Sequence, residues 1–455
     1  AMIFTMLLGG FFGLLNETLL TTALPRIMKD FNIEYSQVQW LTTAFLLTNG
    51  VVIPLSAFII QRYSTRQVFL TGILIFFIGT MLGGFSPNFT ILLIARIIQA
   101  LGSGIMMPLM QTILFLLFPE EKRGTAMGLF GLVIAFAPAI GPTLSGILVE
   151  FFTWRSVFYV ILPIAVVNII TAYYLLSNVT ELTHPKLDKL SVLLSTVGFG
   201  GLLYSFSTVS EAGFTSLRVI ITLIIGVVTL YFFIKRQLKL KEPMLEFRVF
   251  NYNIFTIGTI LGMFVFAVMI ATNIILPLYM QNMLQLTALE SGLVLLPGAI
   301  VMGLMNPITG YMFDKFGGKW LARIGLLLLA LSTLPFTFLT SHTSVTYLTI
   351  MNSIRMVAIA MVMMPMTTLA INHLPKQLIP HGTAMNNTFR QMAGAIGTAV
   401  FITIMSLAAV SDGGAEGIIH GVNISFIVAT IVTFLAFALS FKLHEGPKKV
   451  KKMQS

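Results

Sequence analysis

Cysteine is absent from the chain, which excludes a disulfide framework and any thiolate metal site. The six histidines fall in loops or near the ends of apolar runs without ligand spacing, so no metal centre is expected. No Gly-x-x-x-x-Gly-Lys loop occurs, which excludes a built-in ATPase. Charge is scarcest of all, at 9% of residues, where a soluble domain carries roughly a quarter. No pair of catalytic groups stands out at one depth, so the chain is not expected to be an enzyme.

What remains is apolar. Of 455 residues, 56% are hydrophobic, and the mean hydropathy is +0.93. Lipid is therefore the main solvent. A net charge of +11 in a soluble protein would suggest nucleic acid, but here it has a topological explanation. A membrane span needs about 20 apolar residues, and breaking the sequence at charges, Pro and Gly leaves fourteen such stretches. All read as helices, because an open sheet in lipid leaves backbone edges unpaired. Of the 27 Lys and Arg residues, Arg26, Lys29, Arg155 and Arg218 fall on one side. Arg96, Arg355 and Arg390 lie inside spans, and every other one falls on the opposite side. The rich side is cytoplasmic by the positive-inside rule. An odd number of spans would scramble this sorting. The expected protein is a multi-pass component of a bacterial cell membrane, with both termini cytoplasmic, no cleavable signal peptide and no nucleic-acid partner. Trp40, Trp154 and Trp320 sit near span ends, as interfacial anchors do.

The chain also repeats itself. "MMPLMQTILFLLFPEEKRGTAMG" from Met106 and "MMPMTTLAINHLPKQLIPHGTAMN" from Met363 each join a Met-Met-Pro helix to a Gly-Thr-Ala-Met helix start in the same orientation. A parallel repeat of this kind sets two halves around an axis along the membrane normal and favours alternating access to a central site. The expected division is a six-helix half at 1–177, two extra helices with linkers at 178–251, a second six-helix half at 252–441 and a basic tail at 442–455. The two extra helices have low polar content and read as a lipid-facing addition.

Local motifs sharpen this. "GYMFDKFGGK" carries Gly310, Asp314, Lys315 and Gly317, and its counterpart "AFIIQRYSTR" keeps Arg62 but has Gln61 in place of an acid. "ARIIQALGSGIMMP" holds Arg96 and Gln99; "APAIGPTLSG" holds Pro138, Gly141, Pro142 and Gly146; "NETLLTTALP" begins at Asn16. With "LPLYMQNMLQLTALESGLVLLPG" and "NNTFRQMAGAIGTA", these strings resemble the 14-helix drug:proton antiporters of the major facilitator superfamily. Within that group the chain is most similar to the lincomycin-efflux and staphylococcal multidrug-efflux members. The resemblance covers nearly the whole chain.

It implies an all-α major facilitator fold and a proton-coupled multidrug efflux antiporter. Drugs, protons and membrane lipids are its expected partners, a monomer its expected state and the proton its only coupling agent, with no cofactor. The alternative is a proton-driven exporter of a physiological lipid, metabolite or siderophore. The resemblance also implies a gating role for Asp314, Lys315, Arg62, Gly310 and Gly317. It makes 138–146 the antiporter motif, in which small residues permit close helix approach between the halves and the prolines bend the helix.

Glu17 stands apart. It is the one acid of sixteen placed well within a span, and an ionisable residue there is a functional hypothesis by default. The acid of the family's motif falls on Asn16, and a one-residue shift turns a side chain by about 100° round a helix. Glu17 shares a stripe with Gly10, Gly13 and Thr21. It is expected to exchange protons with Arg96 as its partner; the alternative is a hydrogen bond to a neighbour such as Asn16. Asn16, Glu17, Thr21, Asn49, Gln99, Asn273, Asn306 and Arg355 are the expected substrate contacts. Three intramembrane arginines against one acid favour a substrate with anionic or zwitterionic character. The 26 Met and 38 Phe can furnish a soft, polyspecific pocket.

Overall fold

A computed structural model describes residues 2–183, 185–412 and 414–443. The basic tail expected at 442–455 lies outside the described residues from 444 onward. Fourteen long helices run in chain order: α1 (Met2–Phe31), α2 (Trp40–Arg62), α3 (Thr65–Gly84), α4 (Phe89–Leu117), α5 (Arg123–Phe151), α6 (Ile161–Leu175), α7 (Lys189–Ala212), α8 (Leu217–Lys239), α9 (Asn253–Asn282), α10 (Ala288–Phe316), α11 (Gly318–Thr333), α12 (Val345–Asn372), α13 (Ile379–Asp412) and α14 (Gly414–Ser440). Fourteen stretches of these helices are long and apolar enough to cross a bilayer. Helices suit that solvent because they satisfy their own backbone polar groups.

Their ends are set by local chemistry. Ser64 and Gln67 form a capping box at α3, Thr287 and Glu290 another at α10, and Asn88 caps α4. Each supplies an acceptor to amide groups that have no partner within the helix. Gly317 ends α10 at φ +87°, in the left-handed region that glycine adopts without steric cost.

α1–α6 and α9–α14 form two similar halves, with the Gly-Thr-Ala-Met repeat at the starts of α5 and α13. The halves meet where α5 packs along α10 and α12, and where α13 packs against α2 and α4. The loops that end α2, α4, α10 and α12 share one face of the bundle, which carries most of the Lys and Arg residues and is termed the basic face below.

The extra pair is not a simple lipid-facing addition. α7 packs against both α2 and α13, seated across the junction of the halves, whereas among the long helices α8 leans on α7. α8 turns Ile220, Ile221, Ile224, Ile225, Val227 and Val228 outward, as a helix facing lipid does. At the basic face Asp188 takes two hydrogen bonds from Arg236, at 2.6 and 2.9 Å. The Arg236 guanidinium holds the Asp188 carboxyl well below the usual carboxylate range. A second tie, from Gln237 Nε2 to Ser191 Oγ at 2.6 Å, closes the α7–α8 hairpin.

Candidate transport site

A cavity of about 890 Å³ lies between the halves. Its wall is mostly apolar, with Met106, Met107, Met302, Met356, Met363 and Met364 among the lining residues. Unbranched thioether side chains of this kind adapt to occupants of varied shape. α7 contributes Leu203, Phe206 and Ser207, so the extra helices take part in the site. Among the described residues the lining holds one acid, Glu17, and one base, Arg390. They stand on opposite halves, Glu17 on α1 and Arg390 on α13.

Glu17 reaches the cavity because its helical stripe is small: Gly10 and Gly13 line the wall beside it, together with Leu14 and Thr18. Among the described residues, no hydrogen bond or ion pair within 4.0 Å engages its carboxylate. The expected partner, Arg96, is occupied elsewhere. Arg96 is fully buried and donates from Nη1 to Asn16 Oδ1 at 2.6 Å and to Gln99 Oε1 at 2.8 Å. Its Nε points to the Leu41 carbonyl at 3.4 Å, and its guanidinium lies 4.2 Å from the centre of the Phe45 ring. Gln99 passes the network on to Thr80 at 2.9 Å. Arg96 thus reaches Glu17 only through space. The one-residue offset from the family's motif explains the division, because Asn16 turns inward to Arg96 while Glu17 turns to the cavity.

This network makes a prediction. Arg96→Ala leaves the oxygens of Asn16 and Gln99 without their donor, at a cost of about 1–3 kcal/mol for each buried acceptor left unpaired. The expected result is a marked fall in the thermal midpoint of the purified protein, followed by size-exclusion chromatography after heating. An unchanged midpoint would show that Arg96 is not a structural keystone.

Of the other expected contacts, Asn49, Asn273 and Asn306 line the cavity. Asn16, Thr21, Gln99 and Arg355 do not, which corrects the expected wall. Asn16 and Gln99 are held by Arg96. Thr21, one turn beyond Glu17, is exposed, and its hydroxyl returns to the Thr18 carbonyl at 2.7 Å. Arg355 is buried beneath the wall, bonded to Asn352 at 3.1 Å and lying over Phe336.

In the antiporter motif Pro138, Pro142 and Gly146 face the cavity, but Gly141 serves a different contact from the one expected. A Cβ there would overlap the Thr18 side chain, so Gly141 closes α5 onto α1 within one half. Ser145 Oγ donates to the Leu19 carbonyl at 2.6 Å along the same seam. Contact between the halves falls instead to Gly124, Gly128 and Gly131 of α5. A Cβ on Gly128 would come within 2.6 Å of the Asn306 carbonyl oxygen, and one on Gly131 within 2.7 Å of Met364.

The basic face is closed below the cavity. Asp314, at the end of α10, accepts from the Gly124 and Thr125 amides at 2.7 Å each and from Thr125 Oγ1 at 2.6 Å. A carboxylate of one half thereby caps the first turn of α5 in the other, at the positive end of its dipole. Gly310 brings α10 close enough, since a Cβ there would overlap the Gly124 carbonyl. The repeat places a neutral copy across the axis: Gln61, ending α2, meets the His381 ring at 3.0 Å where α13 begins. Thr112–Thr383 at 2.7 Å, Gln111–Asn387 at 2.6 Å and Arg123–Asn372 at 3.0 Å complete the seal. Arg62 does not cross between the halves; it donates to the Pro185 carbonyl at 2.6 Å and holds the linker after α6. Lys315 is exposed next to Phe316.

Sequence reasoning noted Arg390 without assigning it to a site. The signal was present: Asn387, Arg390, Gln391, Gly394, Ala395 and Thr398 all line the cavity and recur at one helical face of α13.

The sequence and fold have relatives. A 443-residue match, covering 97% of this chain and 94% of its relative, is 54% identical to YcnB of Bacillus subtilis, an uncharacterized MFS-type transporter. The lincomycin resistance protein LmrB of the same organism is 42% identical over 96% of this chain and 94% of its own. Among solved structures, the human organic anion transporter MFSD10 superposes with a TM-score of 0.71 at 15% identity, covering 96% of this chain and 98% of that one, a likeness of fold. The sequence pattern of the Major Facilitator Superfamily matches residues 6–398. With that pattern spanning most of the chain and two halves enclosing a central cavity, the chain is a secondary transporter and a member of the Major Facilitator Superfamily.

Proposed function

We propose that this chain is a proton-coupled exporter of hydrophobic small molecules, working by alternating access in the bacterial cell membrane with both termini in the cytoplasm. One observation carries the reading: the cavity between the halves is sealed on the basic face and has, among the described residues, a single carboxylate, Glu17, in its wall. By the positive-inside rule the sealed face is the cytoplasmic one, so the cavity belongs to the state from which cargo leaves and protons enter. A carboxylate that no protein group holds is free to take a proton from one side and give it to the other. The kinship with a lincomycin resistance protein supports drugs as cargo, and so does the adaptable methionine wall. Each inward proton supplies about 2.3 kcal/mol per 100 mV of membrane potential. The proton serves as coupling ion without a further cofactor, and the protein acts as a monomer.

The test is drug-driven proton movement in proteoliposomes holding a pH-sensitive dye. Lincomycin and a panel of hydrophobic drugs are expected to drive protons across the membrane in proportion to protein content. Drug counterflow without any proton movement would overturn the coupling. No counterflow with any compound would overturn the drug-export reading.

A further inference from the structure

The single base in the cavity wall is Arg390, and its surroundings are unusual for a buried guanidinium. The residue is 7% exposed. Its Nε is buried without a hydrogen-bond partner, and among the described residues no hydrogen bond or ion pair engages any of its nitrogens. Its one close neighbour of note is the face of Phe266, with the ring centre 4.8 Å from the guanidinium carbon. The other intramembrane arginines differ. Arg96 has its donors directed to Asn16, Gln99 and Leu41, and Arg355, whose Nε and Nη1 are also buried without partners, lies behind the wall on Asn352. Of the three intramembrane arginines, only Arg390 combines a cavity position with unused donors.

A guanidinium keeps its proton at any physiological pH and presents donors in a planar fork. Left alone in a poorly hydrated site it is costly, and the occupant that relieves it is a planar anion offering two acceptors. Among the described residues no acid of the second half lines the cavity, and Glu17 stands on the other half. The wall around these donors is apolar, which selects against small, strongly hydrated anions.

We infer that Arg390 anchors an anionic group of the cargo, so that this transporter takes amphipathic carboxylates, the acid on Arg390 and the apolar body against the methionine wall. The inference rests on the proposed cavity being the transport site. Cargo that also bears an amine engages Glu17 across the cavity and satisfies both charges.

The experiment is equilibrium binding to purified protein in lipid nanodiscs, with three matched probes: 1-naphthylacetate, 1-naphthylacetamide and 1-naphthylmethylamine. The parent protein is expected to prefer the acid to the amide. Arg390→Gln is expected to weaken acid binding roughly tenfold or more while leaving the amide within about twofold, and Arg390→Lys to restore part of the difference. Equal affinity for acid and amide in the parent would overturn the proposal, as would an equal loss for both probes in Arg390→Gln. Gly146→Trp separates this from failure of the site itself, because Gly146 faces open space in the wall. Acid binding that survives this filling would remove the cavity as the site. Acid binding that Gly146→Trp abolishes but Arg390→Gln leaves intact would overturn the role of Arg390 alone. Arg390→Lys, checked for a monodisperse elution profile, keeps the comparison valid should Arg390→Gln fold poorly.

Discussion

Glu17→Gln is expected to retain drug binding and to lose drug-driven proton release at every pH between 6 and 8. The substitution preserves size and hydrogen-bonding capacity and removes only the ability to exchange a proton. The structure makes this a clean test. Among the described residues the Glu17 carboxylate has no hydrogen-bond or ion-pair partner, so the change breaks no network and leaves no orphaned neighbour. Arg96, which such a variant would disturb if it were salt-bridged to Glu17, stays held by Asn16 and Gln99. Folding and cavity shape are therefore expected to survive, and counterflow of drug against drug persists while coupling disappears. Exchange with an unchanged pH profile would make Glu17 a structural residue and send the proton through another acid, with Asp314 and Glu290 next to test.

Asp314→Ala is expected to open the sealed face. Its carboxylate takes two backbone amides and a hydroxyl from the first turn of α5, and a hydrogen bond to a charged group contributes about 1.5–3 kcal/mol. Allowing for water that replaces part of this on opening, a loss of about 2 kcal/mol shifts the balance between closed and open by roughly thirtyfold. The chain has no cysteine of its own, so a single reporter is unambiguous. Thr383→Cys places a thiol at the seal, where Thr383 is fully buried against Thr112. Maleimide labelling of this thiol is expected to rise at least severalfold when Asp314→Ala is added, and outward drug transport to fall. Equal labelling in both backgrounds would show that the seal stands without Asp314. The neutral contact across the axis, Gln61 with His381, cannot replace it, because an amide lacks the charge that the amide dipoles of a helix start favour.

The gross plan was legible in the sequence for a simple reason. A bilayer punishes every unpaired backbone group and every stray charge, so hydropathy reports span number directly, and fourteen helices of that kind are present. The repeat of Met-Met-Pro and Gly-Thr-Ala-Met reported two halves, and the acid at Asp314 reported a contact at a helix start. Direction around a helix was partly legible too: the stripe through Gly10, Gly13 and Glu17 does face the cavity.

Where that stripe ends was not legible, and Thr21 shows why. Thr18 lines the cavity and Thr21, on the same stripe as Glu17, does not, because the wall ends where neighbouring helices place it. Similar reasons moved Asn16 and Gln99 behind the wall and Gly141 onto Thr18. A side chain's partner is set by the neighbouring helix at its depth, and helix order in space is not written in local periodicity. The same limit hid Arg390, one of three similar intramembrane arginines in the sequence. Hydropathy, charge and the internal repeat determined that this chain is a fourteen-helix membrane protein in two halves. Tertiary structure decided which of its few buried charges meet each other and which, Glu17 and Arg390, are left facing a cavity, because in a low-dielectric interior a charge's role depends on what lies within hydrogen-bonding reach of it.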